Sequence, residues 1–357
     1  MIRLADIVEQ YGPALRQQGG LLPSQSAALS AFVRCRNEVA PKMLIGCDVC
    51  EHKIWLPHSC GNRHCPHCQA FESQRWIDQQ LQKLVAGKYF MITFTLPEQF
   101  RSLAWQHQRE VYELICNLAW QTVSTFAQND KVLRGRAGAV TVLHTHNRRL
   151  DYHPHVHLVM PAAAFDNKQR LWRQKEAKYL FCHKALAKVF RAKILDGLRQ
   201  AGIALPASYP ADWVVDCQAV GAGDKALVYL GRYLYRGVLP EKHILSNENG
   251  QVTFRYQNGQ TKQWQTRMLD GVSFLKLILK HILPKGFRRA RNYGFLHPNC
   301  KLVKLVQLIK RIATPPPAPR PTVKCPCCQQ PMRILRTRIN AVWAHIMQQD
   351  KARETAM

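Results

Sequence analysis

Acidic residues are scarce in this chain: 23 Asp and Glu stand against 51 Lys and Arg over 357 residues, a formal net charge of +28. At 46% hydrophobic residues it is nonetheless too apolar to be an unfolded basic tail. A folded protein of this charge is expected to meet a polyanion, and nucleic acid is favoured because phosphate neutralisation rewards dispersed Lys and Arg. The features that would favour a membrane are missing. The N-terminal "MIRLADIVEQYGPALRQQGG" has no apolar stretch of signal-peptide type, and the most apolar helical segment, "FLKLILKHIL" (274–283), is interrupted by lysines. There is no polybasic amphipathic helix with a lipidation signal. The expectation is a soluble, cytoplasmic protein with no membrane partner. Solenoid-type repeats are absent, and so is a Gly-Lys-Ser/Thr P-loop, which argues against an appended helicase.

An even set of cysteines is also lacking. The thirteen are odd in number and several stand as Cys-x-x-Cys, which in a reducing compartment means metal rather than disulfide. Cys47-x-x-Cys50 and Cys65-x-x-Cys68 are separated by fourteen residues, close to the spacing of a structural zinc ribbon. Four thiolates around Zn²⁺ would hold a segment too small to fold on an apolar core. Cys47, Cys50, Cys65 and Cys68 are the expected ligands, with Cys60, His58, His64 and His67 as possible substitutes. The C-terminal "CPCCQQPM" offers Cys325 and Cys328 as half a site, with Cys327 spare; His297 and Cys300 are one way to complete it, and plain thiols are the other reading. Cys35, Cys116, Cys182 and Cys217 are expected in cores.

Changes of periodicity divide the chain into a zinc-binding domain (1–80), a central core (85–240), a basic hairpin and helical extension (241–313), an extended proline linker (314–324) and a cysteine-containing tail (325–357). In the core, "KYFMITFTLP" (88–97) alternates as a strand, and 101–128 has helical spacing. "AGAVTVLHTHNR" and "HPHVHLVMPA" read as two strands joined by "NRRLDY". A helical stretch over 171–202, a strand over 212–220 and a helix over 223–237 follow. Strand, helix, strand, strand, helix, strand is the split βαβ plan: an α+β fold of ferredoxin type, an antiparallel sheet with helices on one face. Two Asn-Gly turns beyond 241 predict a hairpin.

The candidate chemistry lies on the central hairpin. His155 and His157 sit two apart on a strand and point to one side, where neutral imidazoles can chelate a divalent ion. His144 is the favoured third ligand, because the turn brings it opposite His155; His146 and Gln218 are fallbacks. On the last helix Tyr229 and Tyr233 are four apart and share a face, accompanied by Lys225, Arg232 and Arg236 as candidate phosphate contacts. Arg288 and Arg289 of "GFRRARNYGFLH" are further DNA-binding candidates. A cation on a non-bridging oxygen polarises a phosphodiester, and an attacking phenol would keep the bond energy as a phosphotyrosine, so that a strand can be rejoined without ATP. A second phenol allows a second cleavage before the first adduct is resolved.

His155-Val156-His157, the "FMITFTLP" strand, "CQAVGAGDKALVYLGRYLYRG", "GFRRARNYGFLH" and the cysteine-rich N-terminus together resemble the HUH endonucleases, and within them the two-tyrosine rolling-circle transposases of bacterial insertion sequences, the IS ninety-one type. The resemblance spans about 30–330. It implies a nickase dependent on Mg²⁺ or Mn²⁺ that acts on single-stranded or melted element ends through a 5′-phosphotyrosine, with Tyr229 and Tyr233 as nucleophiles, His155 and His157 as metal ligands, and an N-terminal domain binding structural Zn²⁺. His146 departs from the tryptophan expected there in such proteins. A replication initiator or relaxase of the same chemistry, and a non-catalytic zinc-finger DNA-binding protein, are the competing readings; the paired tyrosines and the zinc ribbon favour the transposase.

Overall fold

The structure is a computed structural model, and it describes residues 2–344 apart from 177, 235, 236, 260, 320, 321 and 343. The chain begins with helices α1 (Leu4–Gln17) and α2 (Pro23–Arg34), strands β1 (Lys42–Cys47) and β2 (Lys53–Pro57), and helix α3 (Ala70–Leu81). Next come β3 (Tyr89–Thr95), α4 (Arg101–Gln106), α5 (Gln108–Asn129), β4 (Arg136–His146), β5 (Tyr152–Pro161), β6 (Ala163–Asp166), β7 (Leu171–Gln174), α6 (His183–Gln200), β8 (Val215–Ala219) and α7 (Asp224–Leu234). The last third holds β9 (Ile244–Glu248), β10 (Gln251–Gln257), β11 (Trp264–Asp270), α8 (Gly271–Leu279), β12 (Ala290–Gly294), α9 (Leu302–Ile309) and β13 (Met332–Ile339).

The central sheet runs β7-β6-β4-β5-β3-β8, with β12 added along β4. Within it, β4-β5-β3-β8 is the strand order of the split βαβ plan, and every pairing is antiparallel. Strand parity divides the side chains. Phe90, Ile92 and Phe94 of β3, Leu143 of β4 and Val156, Leu158 and Met160 of β5 pack under α5 and α6 in one core. Residues of the other parity, including Tyr89, Val140, Val142 and Val159, face α3, α7 and α9. The second face is therefore covered along part of its length, and the histidines take up the rest.

A second lobe forms around α8. Leu4, Ile7 and Val8 of α1 and Ala28, Leu29 and Phe32 of α2 share a core with Val252 and Phe254 of β10 and Phe274 and Leu275 of α8. Segments read as an N-terminal domain and as a C-terminal extension thus bury one another's apolar faces. Asn249 and Gly250, both with positive φ (52° and 76°), make the tight turn between β9 and β10.

The helix expected over 171–202 is shorter. Its first residues form β7, and α6 begins at His183. Asp166 explains the difference: its carboxylate accepts the backbone N–H groups of Lys168 and Gln169 at 3.0 and 3.1 Å and pairs with Arg173 at 2.9 Å, which closes the β6–β7 turn. The helix over 101–128 is likewise broken at His107. Cys182, expected in a core, is exposed.

Helix α7 approaches α3 closely at Gly231, where a side chain would strike Trp76 and Ile77. The Ser73 hydroxyl donates to the Gly231 carbonyl at 2.9 Å in the same contact. Gly231→Val is expected to destabilise the protein by about 1–3 kcal/mol through overpacking, with Gly231→Ala losing less, as read by the thermal unfolding midpoints of the two variants; an unchanged midpoint in Gly231→Val would mean the two helices do not pack as described.

Candidate active site and metal centres

The hairpin turn sets the register of the histidines. The Asn147 side chain accepts the backbone N–H groups of Arg149 and Asp151, each at 2.9 Å, and Leu150 takes a positive φ of 67°. Strand β5 then runs back along β4 with His155 opposite His144 and His157 opposite Val142, and a register shift falls between His144 and His146. On its other edge β5 pairs with β3, Thr93 opposite His157 and Thr95 opposite His155. His144, His155 and His157 have the parity of Val140, Val142 and Val159, so all three face α7.

Among the described residues three groups of side chains come close enough to share an ion. In one, ligand atoms of His144, His155 and His157 lie within 4.8 Å of one another. The nitrogens are prepared for that role. His155 Nδ1 lies 2.7 Å from the His153 carbonyl oxygen, which can only accept, so this nitrogen carries the proton and Nε2 is left with its lone pair. His157 Nδ1 is held by the Thr93 hydroxyl at 2.9 Å. His144 Nε2 is buried with no hydrogen-bond partner, an arrangement that costs about 1–3 kcal/mol unless something is bound there. Burial holds His144 well below the usual imidazole range, with the neighbouring His157 and His155 adding to the effect. It holds His155 at about 3 and His157 at about 4, so all three are neutral, the ligand form, at neutral pH. The donor set fits a divalent cation with open positions for substrate oxygens. His153 turns to Arg101, at 3.3 Å, and Gln218, opposite Met91 on β8, is two strands removed from β5.

Tyr233 closes the site from above. Its ring lies on His144 with centroids 3.7 Å apart and planes at 19°, and its hydroxyl is 2.6 Å from His146 Nε2. His146 is thus engaged with the phenol. Burial pushes the Tyr233 phenol up, and the guanidinium of Arg289, 5.6 Å from the ring, opposes that shift. Arg289 is turned inward: it donates to the Leu143 and Leu234 carbonyls at 2.9 and 3.1 Å, tying α7 to β4 rather than facing solvent. Tyr229, one turn earlier, is 52% exposed, with its ring 6.2 Å from that of Tyr233. Both tyrosines line an open cavity of about 560 Å³ together with His146, Lys225 and Arg232. Lys225, Arg232 and Arg288 are exposed; Arg236 lies outside the described residues. The sequence reading passed over Thr93 and Arg289 in these supporting roles. The parity of β3 could have indicated Thr93; Arg289 carries no local signal.

The cysteines depart from the single expected ribbon. Cys65 and Cys68 gather with Cys35 and Cys60, whereas Cys47 and Cys50 gather with Cys325 and Cys328. Cys35, expected in a core, ends α2, and its sulfur is 3.3 Å from that of Cys68 and 3.4 Å from that of Cys65. Cys47 and Cys50 sit at the end of β1 and in the turn to β2, whereas Cys60, Cys65 and Cys68 lie in the segment between β2 and α3, which meets the end of α2 at Cys35. His297 and Cys300 take no part in either group.

A family model described as "Transposase zinc-binding domain" matches residues 7–96, and one described as "Putative transposase" matches residues 138–303. The chain is 30% identical over 345 residues to "Putative transposase y4qJ" of Sinorhizobium fredii, covering 89% of this chain and 86% of that protein. It is 28% identical over 335 residues to the transposase for insertion sequence element IS801 of Pseudomonas savastanoi pv. phaseolicola, covering 86% and 79%. Among solved structures, TrwC complexed with a 27-mer DNA aligns at 18% identity and a TM-score of 0.27, over 35% of this chain and 49% of that one. The metal-free conjugative relaxase TrwC with OriT DNA aligns at 15% and 0.27, over 63% and 73%. No helix among the described residues is long and apolar enough to cross a membrane.

The depressed imidazoles set a pH dependence. His155 and His157 stay neutral in the fold down to about 3 and 4, whereas an unfolded histidine takes up a proton near 6.5. The unfolded state therefore binds more protons between those values, and their contribution is intact above about pH 6.5 and lost as the pH falls toward 4. Urea midpoints without added divalent cation are expected to drop from pH 7 to pH 5, and the drop is expected to shrink in His155→Gln/His157→Gln; equal slopes would trace the loss to other groups.

Proposed function

Since the chain belongs to the insertion-sequence transposases of the IS91 type, we propose that it nicks and rejoins single DNA strands at the element's ends through a phosphotyrosine formed on Tyr233 and Tyr229. The observation that carries this reading is the stacking of Tyr233 on His144, which brings a phenol to the edge of a three-imidazole cluster with an unpartnered nitrogen. A core aromatic pair would have no use for such a neighbour.

His144, His155 and His157 would hold the catalytic ion, Mg²⁺ or Mn²⁺. Bound there, the ion would draw charge from a non-bridging phosphate oxygen and make phosphorus open to attack. The residues of the chain do the rest. Thr93 and the His153 carbonyl keep the imidazoles turned toward the ligand position. Lys225 and Arg232, at the rim of the cavity, attract the phosphate backbone of a single-stranded or melted segment. The Tyr233 oxygen attacks phosphorus, its proton passing to His146 Nε2, the nitrogen already at 2.6 Å. The P–O3′ bond breaks, the DNA 5′ end stays on the tyrosine, and the departing 3′ oxygen takes a proton as a free hydroxyl. Tyr229, exposed and one helical turn away, takes the second strand before the first adduct is resolved. Rejoining is the reverse step with a different 3′ hydroxyl, and no external energy source is needed. The cluster of Cys35, Cys60, Cys65 and Cys68 would hold Zn²⁺ and fix α2 to the start of α3, against which α7 is packed.

Tyr229→Phe/Tyr233→Phe is expected to abolish the covalent protein–DNA adduct on single-stranded oligonucleotides carrying element ends, in the presence of Mg²⁺ or Mn²⁺; nicking by the double variant would rule out the phosphotyrosine route. His155→Ala or His157→Ala is expected to slow cleavage by about 10²–10⁴-fold, the several kcal/mol that a lost cation represents, while DNA affinity in a mobility-shift assay stays near wild type because dispersed Lys and Arg supply it. Parallel loss of binding and cleavage would make these histidines structural.

A further inference from the structure

Cys325 and Cys328 lie beyond both segments matched by the family models, yet they meet Cys47 and Cys50 across more than two thirds of the chain. The sulfurs of Cys47 and Cys328 are 3.4 Å apart, as are those of Cys50 and Cys325, and all four fall within 4.8 Å. These separations are far longer than a disulfide bond of about 2.05 Å. They approach the ~3.8 Å edge of a tetrahedron of thiolates around zinc at about 2.3 Å.

The surroundings are those of two metal knuckles. Cys47 ends β1, and Cys50 lies in the turn leading to β2. On the other side a hairpin bends back at 325–330, where the Cys325 N–H donates to the Gln330 carbonyl at 2.9 Å and the Gln329 N–H to the Cys325 carbonyl at 2.9 Å. β13 then pairs with β1, Met332 opposite Cys47 and Ile334 opposite Ile45, to give the three-stranded sheet β13-β1-β2.

That sheet has almost no core of its own. Among the described residues its buried apolar side chains are Ile45, Cys47, Cys325 and Met332, with Met43, Ile54, Leu56 and Cys328 partly so, while Ile334 is 64% exposed. An apolar cluster of this size does not hold three strands together in water, still less when one arrives on an extended proline linker. Metal ligation is the usual remedy, since binding free energy then serves as folding free energy. Four sulfur donors select zinc over magnesium or calcium.

We propose that Cys47, Cys50, Cys325 and Cys328 form a second zinc site, separate from that of Cys35, Cys60, Cys65 and Cys68, which joins the two ends of the chain into one zinc ribbon. Cys327, exposed in the same turn, is not a ligand.

The test is the zinc content of the full-length protein, purified without chelator. Wild type is expected to carry about two zinc ions per chain, Cys325→Ser/Cys328→Ser about one, and Cys327→Ser about two. After substitution with Co²⁺, the thiolate charge-transfer absorbance should halve in the double variant. A second measurement does not depend on any cysteine variant folding well. With a specific protease site placed within 314–319, the cut C-terminal segment should co-elute with the body of the zinc-replete protein in gel filtration and separate when a chelator is added. One zinc per chain in wild type, an unchanged content in Cys325→Ser/Cys328→Ser, or separation of the cut segment from the zinc-replete protein would each overturn the assignment. None of these readouts involves DNA, so the result stands apart from the strand-transfer reading.

Discussion

The two-residue repeat of an extended strand is the constraint on which the central face depends. Odd positions of β3 and β5 and even positions of β4 point one way, which collects Thr93, His144, His155 and His157 beneath α7, while the opposite parity supplies the apolar side chains that hold α5 and α6. A slip of one residue in the β4–β5 pairing would send the imidazoles into the main core and Val156 and Leu158 to the polar side. The Asn147 side chain, which closes the turn with two backbone hydrogen bonds, guards against that slip.

The same face shows how burial and polarity are balanced. Three imidazoles close together cannot all be protonated, and burial keeps them neutral. Each of two has one nitrogen satisfied by a neighbour, Thr93 or the His153 carbonyl, so the remaining valence is directed rather than free to rotate. Tyr233 covers the cluster like a lid of one ring. The tie between Arg289 and the carbonyls of Leu143 and Leu234 keeps that ring in place by fixing the end of α7 to β4.

Much of this was legible in the sequence, and what was missed has identifiable causes. The order of strands and helices in the core follows from periodicity, and the pairing of His144 with His155 follows from a short polar turn between two strands. Periodicity failed at 171–182, where helix-forming residues are overridden by the Asp166 turn and its pairing with Arg173. Helical spacing placed Tyr229 and Tyr233 on one face but gave no depth, and of the two it is Tyr233, half-buried, that stacks on histidine. The cysteines were the least readable. Spacing identifies which two cysteines share a knuckle, but not which knuckles meet, and Cys50 and Cys325 are 275 positions apart. Cys35 stands alone at the end of α2, with no partner in its own neighbourhood to mark it.

The pairing of β13 with β1 also has a temporal side. β1 and β2 leave the ribosome early, but the strand that flanks them comes much later. With 275 residues between Cys50 and Cys325 and synthesis at about 5–20 residues per second, the hairpin waits roughly 15–55 seconds for its third strand. During that interval the edge of β1 that β13 will cover is open, so the three-stranded sheet forms only after the intervening core has been synthesised.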